Sequence, residues 1–302
     1  MIVVVGMPTE DPVRLLLSAA DRCGIDTLPL TETDAASWDL QVECASGNVR
    51  ASVHQAGGTA DLDAASGVYL RLTSPRQRQR PDPLRRQRHD AALALICGWA
   101  EVTRVRVANR PSAMASNNSK PYQAALIRRL GFAVPETLVT NDPDEVREFQ
   151  RRVGRLVYKS ASGARSIVHE LTADRAAALD RVRNLPTQFQ QLLTGKNVRV
   201  HVIGRQVFAC EIAAETLDYR YREGGSPAQL RPIGLPPEVE VRCLELSAGL
   251  DLPLAGIDLL RDADDRWWCF EVNPSPAYSS FSEPTGQPMG EALARWLGGE
   301  DS

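Results

Sequence analysis

The sequence predicts an α/β fold in three parts: a leading α/β lobe, a small α+β lobe and a final lobe built on an antiparallel sheet. A short apolar strand followed directly by an amphipathic helix opens the chain, which is typical of an α/β lobe. Further along, a strand, a lysine, a loop of small residues and a second strand follow one another closely. Near the end, two apolar strands flank a polar turn and predict a hairpin.

The leading lobe is predicted to end near residues 110–118. Its predicted elements are a strand over 2–5, a helix over 11–23, a hairpin of 38–44 and 49–53, a strand over 67–72, a helix over 84–101 and a strand over 105–108. Gly24 ends the first helix. The predicted apolar face of the second helix consists of Ala91, Leu95, Cys97 and Trp99. No GxGxxG follows the first strand, so no dinucleotide site is predicted there.

The middle lobe combines helices with short strands. Its predicted elements are a helix over 120–131, an extended segment over 134–141, a helix over 144–152, strands over 156–159 and 167–170, a helix over 172–183 and a strand over 189–193. Ser119 is the predicted N-cap of the first helix, with Pro121 in its first turn and Gly131 at its end. Lys159 and the small-residue loop 160–166 suit an anion, because small side chains let backbone N–H groups approach a phosphate. A solvated lysine at a strand end explains them equally well.

The final lobe is predicted as hairpins with a helix between them. Its predicted elements are strands over 197–203 and 207–212, a helix over 236–249, strands over 254–260 and 267–272 and a closing helix over 285–297. Alternation in the first strand places Val198, Val200 and Val202 on one face, with Arg199 and His201 on the other.

The hairpin of 254–260 and 267–272 carries a predicted metal site. With its turn centred between Asp264 and Asp265, Asp258 lies directly opposite Glu271, and Asn273 points the same way. Two carboxylates this close repel, and a hard cation such as Mg²⁺ with its oxygen ligands resolves the conflict. The alternative is a surface hairpin whose acids face water. The metal site is favoured because the acids interrupt apolar strands rather than flank them.

Composition narrows the classes of function. The net charge of −3 gives no sign of a nucleic-acid partner. The six cysteines form no CxxC, which predicts free thiols in a reducing compartment, and the four histidines form no HExxH zinc motif. No apolar run reaches the length of a membrane span, and no signal peptide is recognised, so the expectation is a cytoplasmic protein. Residues 76–88 carry six arginines; a solvated loop is favoured over a patch that binds an acidic partner.

Several motifs together resemble the RimK-type ligases of the ATP-grasp superfamily. They are QQLLTGKNVRVHVIGRQVFACEI, DYRYREGG, AGIDLL, FEVNPSP and PTGQPMGEALARWL, in this order. The resemblance covers residues 110–297. It implies an ATP-grasp fold with ATP between the last two lobes. The implied domains are an N-terminal domain over 1–112, a lid subdomain over 113–190 and a C-terminal subdomain over 191–302.

The resemblance also implies roles for individual residues. The implied ATP contacts are Lys120, Lys159, Gly163 in the lid loop, Gln190, Gln191, Leu192, Leu193 and Asn197. The implied Mg²⁺ ligands are Asp258, Glu271 and Asn273, and the implied catalytic arginines are Arg199 and Arg220. Three positions depart from the family pattern. Asn197 replaces an aspartate, the lid loop has one glycine, and Tyr221-Arg222 replaces a small polar pair, which leaves the acceptor undetermined.

The activity that the resemblance implies is an ADP-forming ligation with ATP and Mg²⁺. A carboxylate becomes an acyl phosphate, which an amine or hydroxyl of an amino acid or peptide attacks. The alternatives are a graspetide-type peptide macrocyclase, a kinase of a small-molecule hydroxyl and a nucleotide-binding module without catalysis. Glu211 is either a candidate base or an unpaired surface acid. Neither nucleic acid nor membrane is expected as a partner, and homo-oligomers are common among the relatives.

Overall fold

The computed structural model describes residues 1–45, 48–55, 58–72, 82–160, 168–213 and 228–300. The strands are β1 (Ile2–Gly6), β2 (Thr27–Thr31), β3 (Asp39–Ala45), β4 (Asn48–Gln55), β5 (Gly58–Asp61), β6 (Gly67–Arg71), β7 (Arg106–Ala108), β8 (Thr137–Thr140), β9 (Leu156–Ser160), β10 (His169–Glu170), β11 (Thr187–Gln191), β12 (Lys196–Ile203), β13 (Gln206–Ala213), β14 (Gln229–Ile233), β15 (Leu254–Arg261) and β16 (Trp267–Asn273). The helices are α1 (Asp11–Arg22), α2 (Pro83–Val102), α3 (Pro111–Met114), α4 (Lys120–Arg129), α5 (Pro143–Val153), α6 (Ala173–Ala176), α7 (Pro237–Gly249), α8 (Ser279–Thr285) and α9 (Met289–Gly298).

The leading lobe is built on a parallel sheet in the order β2-β1-β6-β7. The central strand β1 is buried on both faces. Ile2 and Val4 pack into the core that α1 and α9 cover, and Val3 and Val5 pack into the core that α2 covers. A separate antiparallel sheet, β3-β4-β5, joins this second core. The α/β class predicted for this part is therefore confirmed.

Two antiparallel sheets make up the remainder. The smaller has the order β10-β9-β11-β8, with a core that joins α5 to Leu156 and Phe189. The larger has the order β14-β13-β12-β15-β16. Val198, Val200 and Val202 of β12 face a core shared with α7, as the alternation predicts.

Asn109 fastens the leading lobe to the larger sheet. Its side-chain amide Nδ2 donates to the carbonyls of Leu254 and Pro274, each at 2.6 Å, and its Oδ1 accepts from the Leu254 amide at 3.1 Å. The residue is buried. One side chain therefore holds the start of β15 and the chain just beyond β16.

Replacing Asn109 by alanine is expected to lower the free energy of unfolding by about 2–4 kcal/mol, because it leaves buried backbone groups without partners. Chemical denaturation followed by circular dichroism measures the change. The matched control is Asn141→Ala, because Asn141 is exposed. Equal stability of the two variants would contradict the role given to Asn109.

The structure corrects three predictions about helices. Ala91 and Leu95 of α2 are exposed, whereas the buried residues are Ala92, Leu93, Ile96, Trp99 and Ala100. This helix is apolar on two sides, so periodicity did not identify the inner one. The helix predicted over 172–183 is instead α6 followed by a 3₁₀ segment, Leu179–Asn184.

The third correction concerns the closing helix predicted over 285–297. The helix there is α9, which begins only at Met289, because Gly286 adopts φ 66° and Pro288 precedes α9; the preceding helix α8 was not predicted. Ser119 occupies the N-cap position of α4, but its side chain makes no capping hydrogen bond. Within the described ranges, no helix has the length and apolar character needed to cross a bilayer. Of the arginine-rich stretch 76–88, residues 76–81 lie outside the described residues, and 82–88 are exposed.

Candidate active site

A row of four charged side chains crosses the larger sheet. Arg199 of β12 lies opposite Asp258 of β15, and Asp258 lies opposite Glu271 of β16. Directly opposed residues share a face of a sheet. Lys120, the first residue of α4, completes the row beside Glu271. We call Arg199, Asp258, Glu271 and Lys120 the charged row.

Among the described residues, each carboxylate of the charged row pairs with a cation of the same row. Arg199 Nη1 lies 2.9 Å from Asp258 Oδ1, and Lys120 Nζ lies 2.8 Å from Glu271 Oε2. All four side chains are at most 18% exposed. Asn117 Oδ1 accepts a further hydrogen bond from Lys120 at 2.7 Å, which directs the ammonium toward the sheet.

A β-bulge produces the opposition of Asp258 and Glu271. The tip of the hairpin is centred on Asp264, since Arg261 pairs with Trp267, so the predicted centre between Asp264 and Asp265 is wrong by half a residue. The register then shifts between Leu259 and Asp258, which leaves Phe270 as the extra residue. This shift brings Glu271 opposite Asp258. The predicted pairing is therefore confirmed.

Arg199 is only 5% exposed, and neighbouring groups contact its side chain on several sides. Its Nε donates to His201 Nε2 at 3.3 Å, and its guanidinium lies 5.8 Å from the centre of the Phe281 ring. Its Nη2 occupies the space where a side chain at Gly256 would begin, because a Cβ there would lie 1.9 Å from it. These neighbours fix the direction of the guanidinium.

His201 is a neutral acceptor in this arrangement. The imidazole is fully buried, and burial lowers its pKa well below the ordinary value. The positive charge of Arg199 lowers the pKa further. A neutral ring can accept the hydrogen bond from Arg199 that a protonated ring would repel.

Asn273 follows Glu271 on the same face and begins a loop that the leading lobe holds. Its Oδ1 accepts from the Ser275 amide at 2.9 Å. Arg71, at the end of β6, donates to Ser275 Oγ and to the Pro276 carbonyl, each at 3.1 Å. Arg71 Nε is also paired with Glu10 at 2.7 Å. The leading lobe thus positions the end of the hairpin formed by β15 and β16.

The donor set of Asp258, Glu271 and Asn273 suits Mg²⁺. All three side chains offer oxygen atoms, which this hard cation prefers, and two are carboxylates. Among the residues that the structure describes, no group of three or more His, Cys, Asp or Glu side chains could hold a metal ion. The predicted set therefore relies on two carboxylates and one amide, which leaves room for phosphate oxygens.

Comparisons with known proteins agree with this geometry. The family model described as the RimK-like ATP-grasp domain matches residues 116–297, which is more than half of the chain. The chain belongs to the RimK-like ATP-grasp family. The family and the fold that the motifs predict are both confirmed.

Solved ATP-grasp structures match nearly the whole chain. The ATP-grasp ligase PsnB, complexed with a phosphomimetic variant of a minimal precursor, Mg and ADP, is 29% identical, with a TM-score of 0.78 over 98% of this chain and 97% of that one. The macrocyclase MdnC from Microcystis aeruginosa MRC, bound with precursor peptide MdnA, is 21% identical, with a TM-score of 0.78 over 98% and 99%. The MdnC likeness shows the fold alone.

A curated relative matches a shorter part. The ribosomal protein bS6–L-glutamate ligase of Escherichia coli O81 (strain ED1a) is 28% identical over 201 residues, or 63% of this chain. This chain spans 66% of the length of that relative. The RiPP-associated ATP-grasp ligase of Chryseobacterium gregarium, in complex with ADP and a leader and core peptide, is 19% identical with a TM-score of 0.79 over 98% and 96%. It too shows the fold alone.

Lys159, Gln190 and Gln191, three of the predicted nucleotide contacts, lie on the smaller sheet and not on the sheet that carries the charged row. Lys159 of β9 lies opposite Gln188 of β11, so Lys159 and Gln190 share a face. Gln190 and Gln191 are consecutive on β11, so their side chains point to opposite faces. Gln190 Nε2 donates to Thr137 Oγ1 at 3.0 Å.

The end of β11 and the chain just after it form the adenine hinge that the resemblance implies, which consists of Gln190, Gln191 and the backbone at Leu192 and Leu193. The Gln191 amide donates to the Glu136 carbonyl, and the Leu192 amide donates to the Arg155 carbonyl. Leu193 follows, half-buried. These bonds tie the hinge to neighbouring segments of the same lobe.

Two further predicted residues stand on β12 and β13. Asn197 lies two residues before Arg199, so it faces the same way, and it is half-buried. Glu211 is not an unpaired acid, since Arg231 lies 3.0 Å and Lys196 3.4 Å from its carboxylate. Burial raises the pKa of Glu211, but these two hydrogen-bonding cations outweigh it and lower the pKa, which disfavours a general base. Gly163 and Arg220 lie outside the described residues.

The roles of three residues that contact the charged row were not predicted from the sequence. They are Gly256 under the Arg199 guanidinium, His201 beside it and Asn117 next to Lys120. Gly256 carried a usable signal, because a glycine inside an apolar strand often marks the close approach of another group. Alternation along β12 placed His201 on the face of Arg199 without specifying their hydrogen bond, and Asn117 carried no signal.

Proposed function

We propose that this protein is an ATP-dependent, ADP-forming ligase that joins an acidic side chain of a peptide to a hydroxyl or amine of that peptide. The charged row carries the proposal, since it puts two cations and two metal-binding carboxylates side by side on one sheet. PsnB, an ATP-grasp ligase that is 29% identical over 98% of this chain, is complexed with a precursor peptide and AMPPNP in a solved structure. This likeness favours a peptide over a free amino acid as substrate.

The charged row would neutralise phosphate charge. Lys120 and Arg199 are the cations that would contact the phosphates, and Asp258, Glu271 and Asn273 would hold Mg²⁺. At these residues Mg²⁺ would supply positive charge that offsets the negative charge of the phosphates during transfer. Because Arg199 is already fixed by His201 and Asp258, little reorganisation accompanies the reaction.

The proposal also assigns roles to the other predicted residues. Lys159 would contact phosphate from the lid, and Gln190, Gln191, Leu192 and Leu193 would line the adenine. Asn197 would lie near the ribose or the metal. The boundaries at 112 and 190 would separate the leading, lid and C-terminal units, with ATP between the last two.

The chemistry follows in two displacements. A carboxylate oxygen of the peptide attacks the γ-phosphorus of ATP, the bond to the bridging oxygen breaks, and ADP leaves. The hydroxyl or amine then attacks the acyl carbon, phosphate leaves with the bonding electron pair, and the nucleophile loses its proton to water or phosphate. Exclusion of water protects the acyl phosphate from hydrolysis.

Hydroxylamine tests this proposal, because it traps an acyl phosphate as a hydroxamate. Any small peptide encoded beside this gene, dipeptides and free amino acids are each incubated with ATP, Mg²⁺ and enzyme. We expect ADP release with the peptide, a hydroxamate when hydroxylamine is present, and a loss of one water mass per bond when it is absent. A phosphorylated product without hydroxamate would instead identify a kinase, and ligation of free glutamate would identify an amino-acid ligase.

A further inference from the structure

A basic cavity with a volume of about 470 Å³ lies between the leading lobe and the larger sheet. The leading lobe supplies the chain around β7. The other walls are the turn between β12 and β13, the chain that joins α7 to β15, and α9. None of the described residues that line it belongs to the charged row. We call it the arginine cavity, because the charged residues of its lining are Arg104, Arg106, Arg110, Arg205 and Asp251.

Two of these arginines are held in place by helix ends. Arg110 donates hydrogen bonds to the carbonyls of Ala100 and Thr103, where α2 ends. Arg106 Nη1 donates to the Trp296 carbonyl at 2.9 Å, and its guanidinium lies 5.8 Å from the centre of the Trp296 ring. Carbonyls at the C-terminal end of a helix offset only part of a full positive charge. Both guanidinium groups are therefore fixed and still attract an anion.

The other two arginines are not engaged in this way. Arg104 and Arg205 are exposed, and neither forms an ion pair or a side-chain hydrogen bond with any described residue. Arg104 precedes β7 and Arg205 lies in the turn after β12, so they stand on different walls of the cavity. Asp251 is the one carboxylate among the described residues of the lining. Four arginines against Asp251 leave three positive charges uncompensated.

The turn that carries Arg205 is packed against the indole of Trp296. Gly204 adopts φ 59°, and a Cβ there would lie 2.3 Å from Trp296 Cδ1. The Gly204 amide also donates to the Pro253 carbonyl at 2.8 Å. Glycine is thus required both by the backbone conformation and by the approach of the ring. This wall of the cavity is formed before any ligand binds, which lowers the entropic cost of binding.

We propose that the arginine cavity binds an anion with two linked phosphate groups, either inorganic pyrophosphate or the diphosphate of a nucleotide. Guanidinium groups contact phosphate oxygens in a bidentate manner. Three uncompensated charges suit a diphosphate better than a single carboxylate, and the volume lies in the range of small-molecule sites. One diphosphate would contact Arg104 and Arg205 together and so join the leading lobe to the larger sheet. The proposal does not depend on the ligase activity.

Isothermal titration calorimetry with inorganic pyrophosphate tests the site, in the presence of EDTA to keep Mg²⁺ from the charged row. We expect one binding site per chain. Arg104→Ala and Arg205→Ala should each raise the dissociation constant by about tenfold or more, since each removes charge-assisted hydrogen bonds. The matched control is Arg151→Ala, which removes an exposed arginine from α5 and should bind like the wild type. Circular dichroism confirms that each variant is folded.

A variant of the charged row separates the two places where pyrophosphate could bind. Lys120→Ala should bind pyrophosphate like the wild type, because Lys120 is not part of the cavity. Loss of binding in Lys120→Ala but not in the Arg104 and Arg205 variants would overturn the proposal. A wild-type protein that binds no pyrophosphate, or equal affinities of the Arg151 and Arg205 variants, would overturn it as well.

Competition in the Lys120→Ala variant identifies the source and the class of the anion. Displacement of pyrophosphate by ADP would identify a nucleotide as a ligand of the cavity, and pyrophosphate that ADP does not displace would identify the inorganic anion. A glutamate-rich peptide that binds as tightly as pyrophosphate, and that also requires Arg104 and Arg205, would overturn the choice of phosphate. Pyrophosphate should also raise the Tm of the wild type and not that of Arg205→Ala, because a ligand stabilises the fold that binds it.

Discussion

Glu271→Gln is expected to lower the rate of ADP release by about a thousandfold, the upper range for loss of one preorganised electrostatic contact. The change keeps the shape of the side chain but removes the negative charge opposite Asp258. The neutral amide also replaces the carboxylate that forms an ion pair with the Lys120 ammonium at 2.8 Å. The charge that the proposed metal site needs and the ion pair of Lys120 are then lost together.

Two measurements separate this effect from misfolding. Thermal unfolding should show a folded variant, and the binding of a fluorescent ATP analogue should lose its dependence on Mg²⁺. The matched control is Glu291→Gln, which removes a glutamate paired with Arg22 on the surface of the leading lobe. Its turnover should equal that of the wild type. Near-normal turnover of Glu271→Gln would rule out the role assigned to the charged row.

Gly256→Ala is expected to lower turnover by about a hundredfold, although it adds only one methyl group. The new Cβ would lie 1.9 Å from Arg199 Nη2 and 2.8 Å from Pro276 Cβ, so the guanidinium must move. Arg199 then loses its contact with Asp258 at 2.9 Å. Alanine is compatible with the backbone at this strand position, so the effect is steric.

A double-mutant comparison identifies the cause. Once Arg199→Ala has removed the guanidinium, only the contact with Pro276 remains, and adding Gly256→Ala should cost little further turnover. Gly234→Ala is the control, since a Cβ there meets no atom within 4 Å. Additive losses in the double mutant would show that Gly256 acts through something other than Arg199.

Local patterns were sufficient for much of the fold. Strand β1 and helix α1 follow directly from an apolar run, an amphipathic period and Gly24. The hairpin of β15 and β16 follows from two apolar runs around DADDR, and the motifs shared with ATP-grasp ligases identify the family over residues 116–297. The wrong predictions arose where two signals competed. Helix α2 is apolar on both sides. The closing helix α9 begins only after Gly286 and Pro288, and not at residue 285 as predicted.

The candidate site was also predicted only in part from the sequence. Spacing alone predicted that Asp258 and Glu271 face each other, although a bulge at Phe270 rather than a centred turn produces that pairing. The place of Lys120 beside Glu271 was not predictable from periodicity, since the two residues lie far apart in the chain and α4 must pack on β16 to join them.

The sequence by itself determined the elements, the family and the pair of carboxylates that calls for a cation, because these depend on neighbours in the chain or within one hairpin. Only the tertiary structure decided how the positive charges reach that pair. It sets Arg199 over Gly256 and against His201, and it brings Lys120 in from another element. Contacts of this kind depend on how faces pack, which periodicity does not specify. The acidic hairpin becomes a candidate site for ATP through that packing.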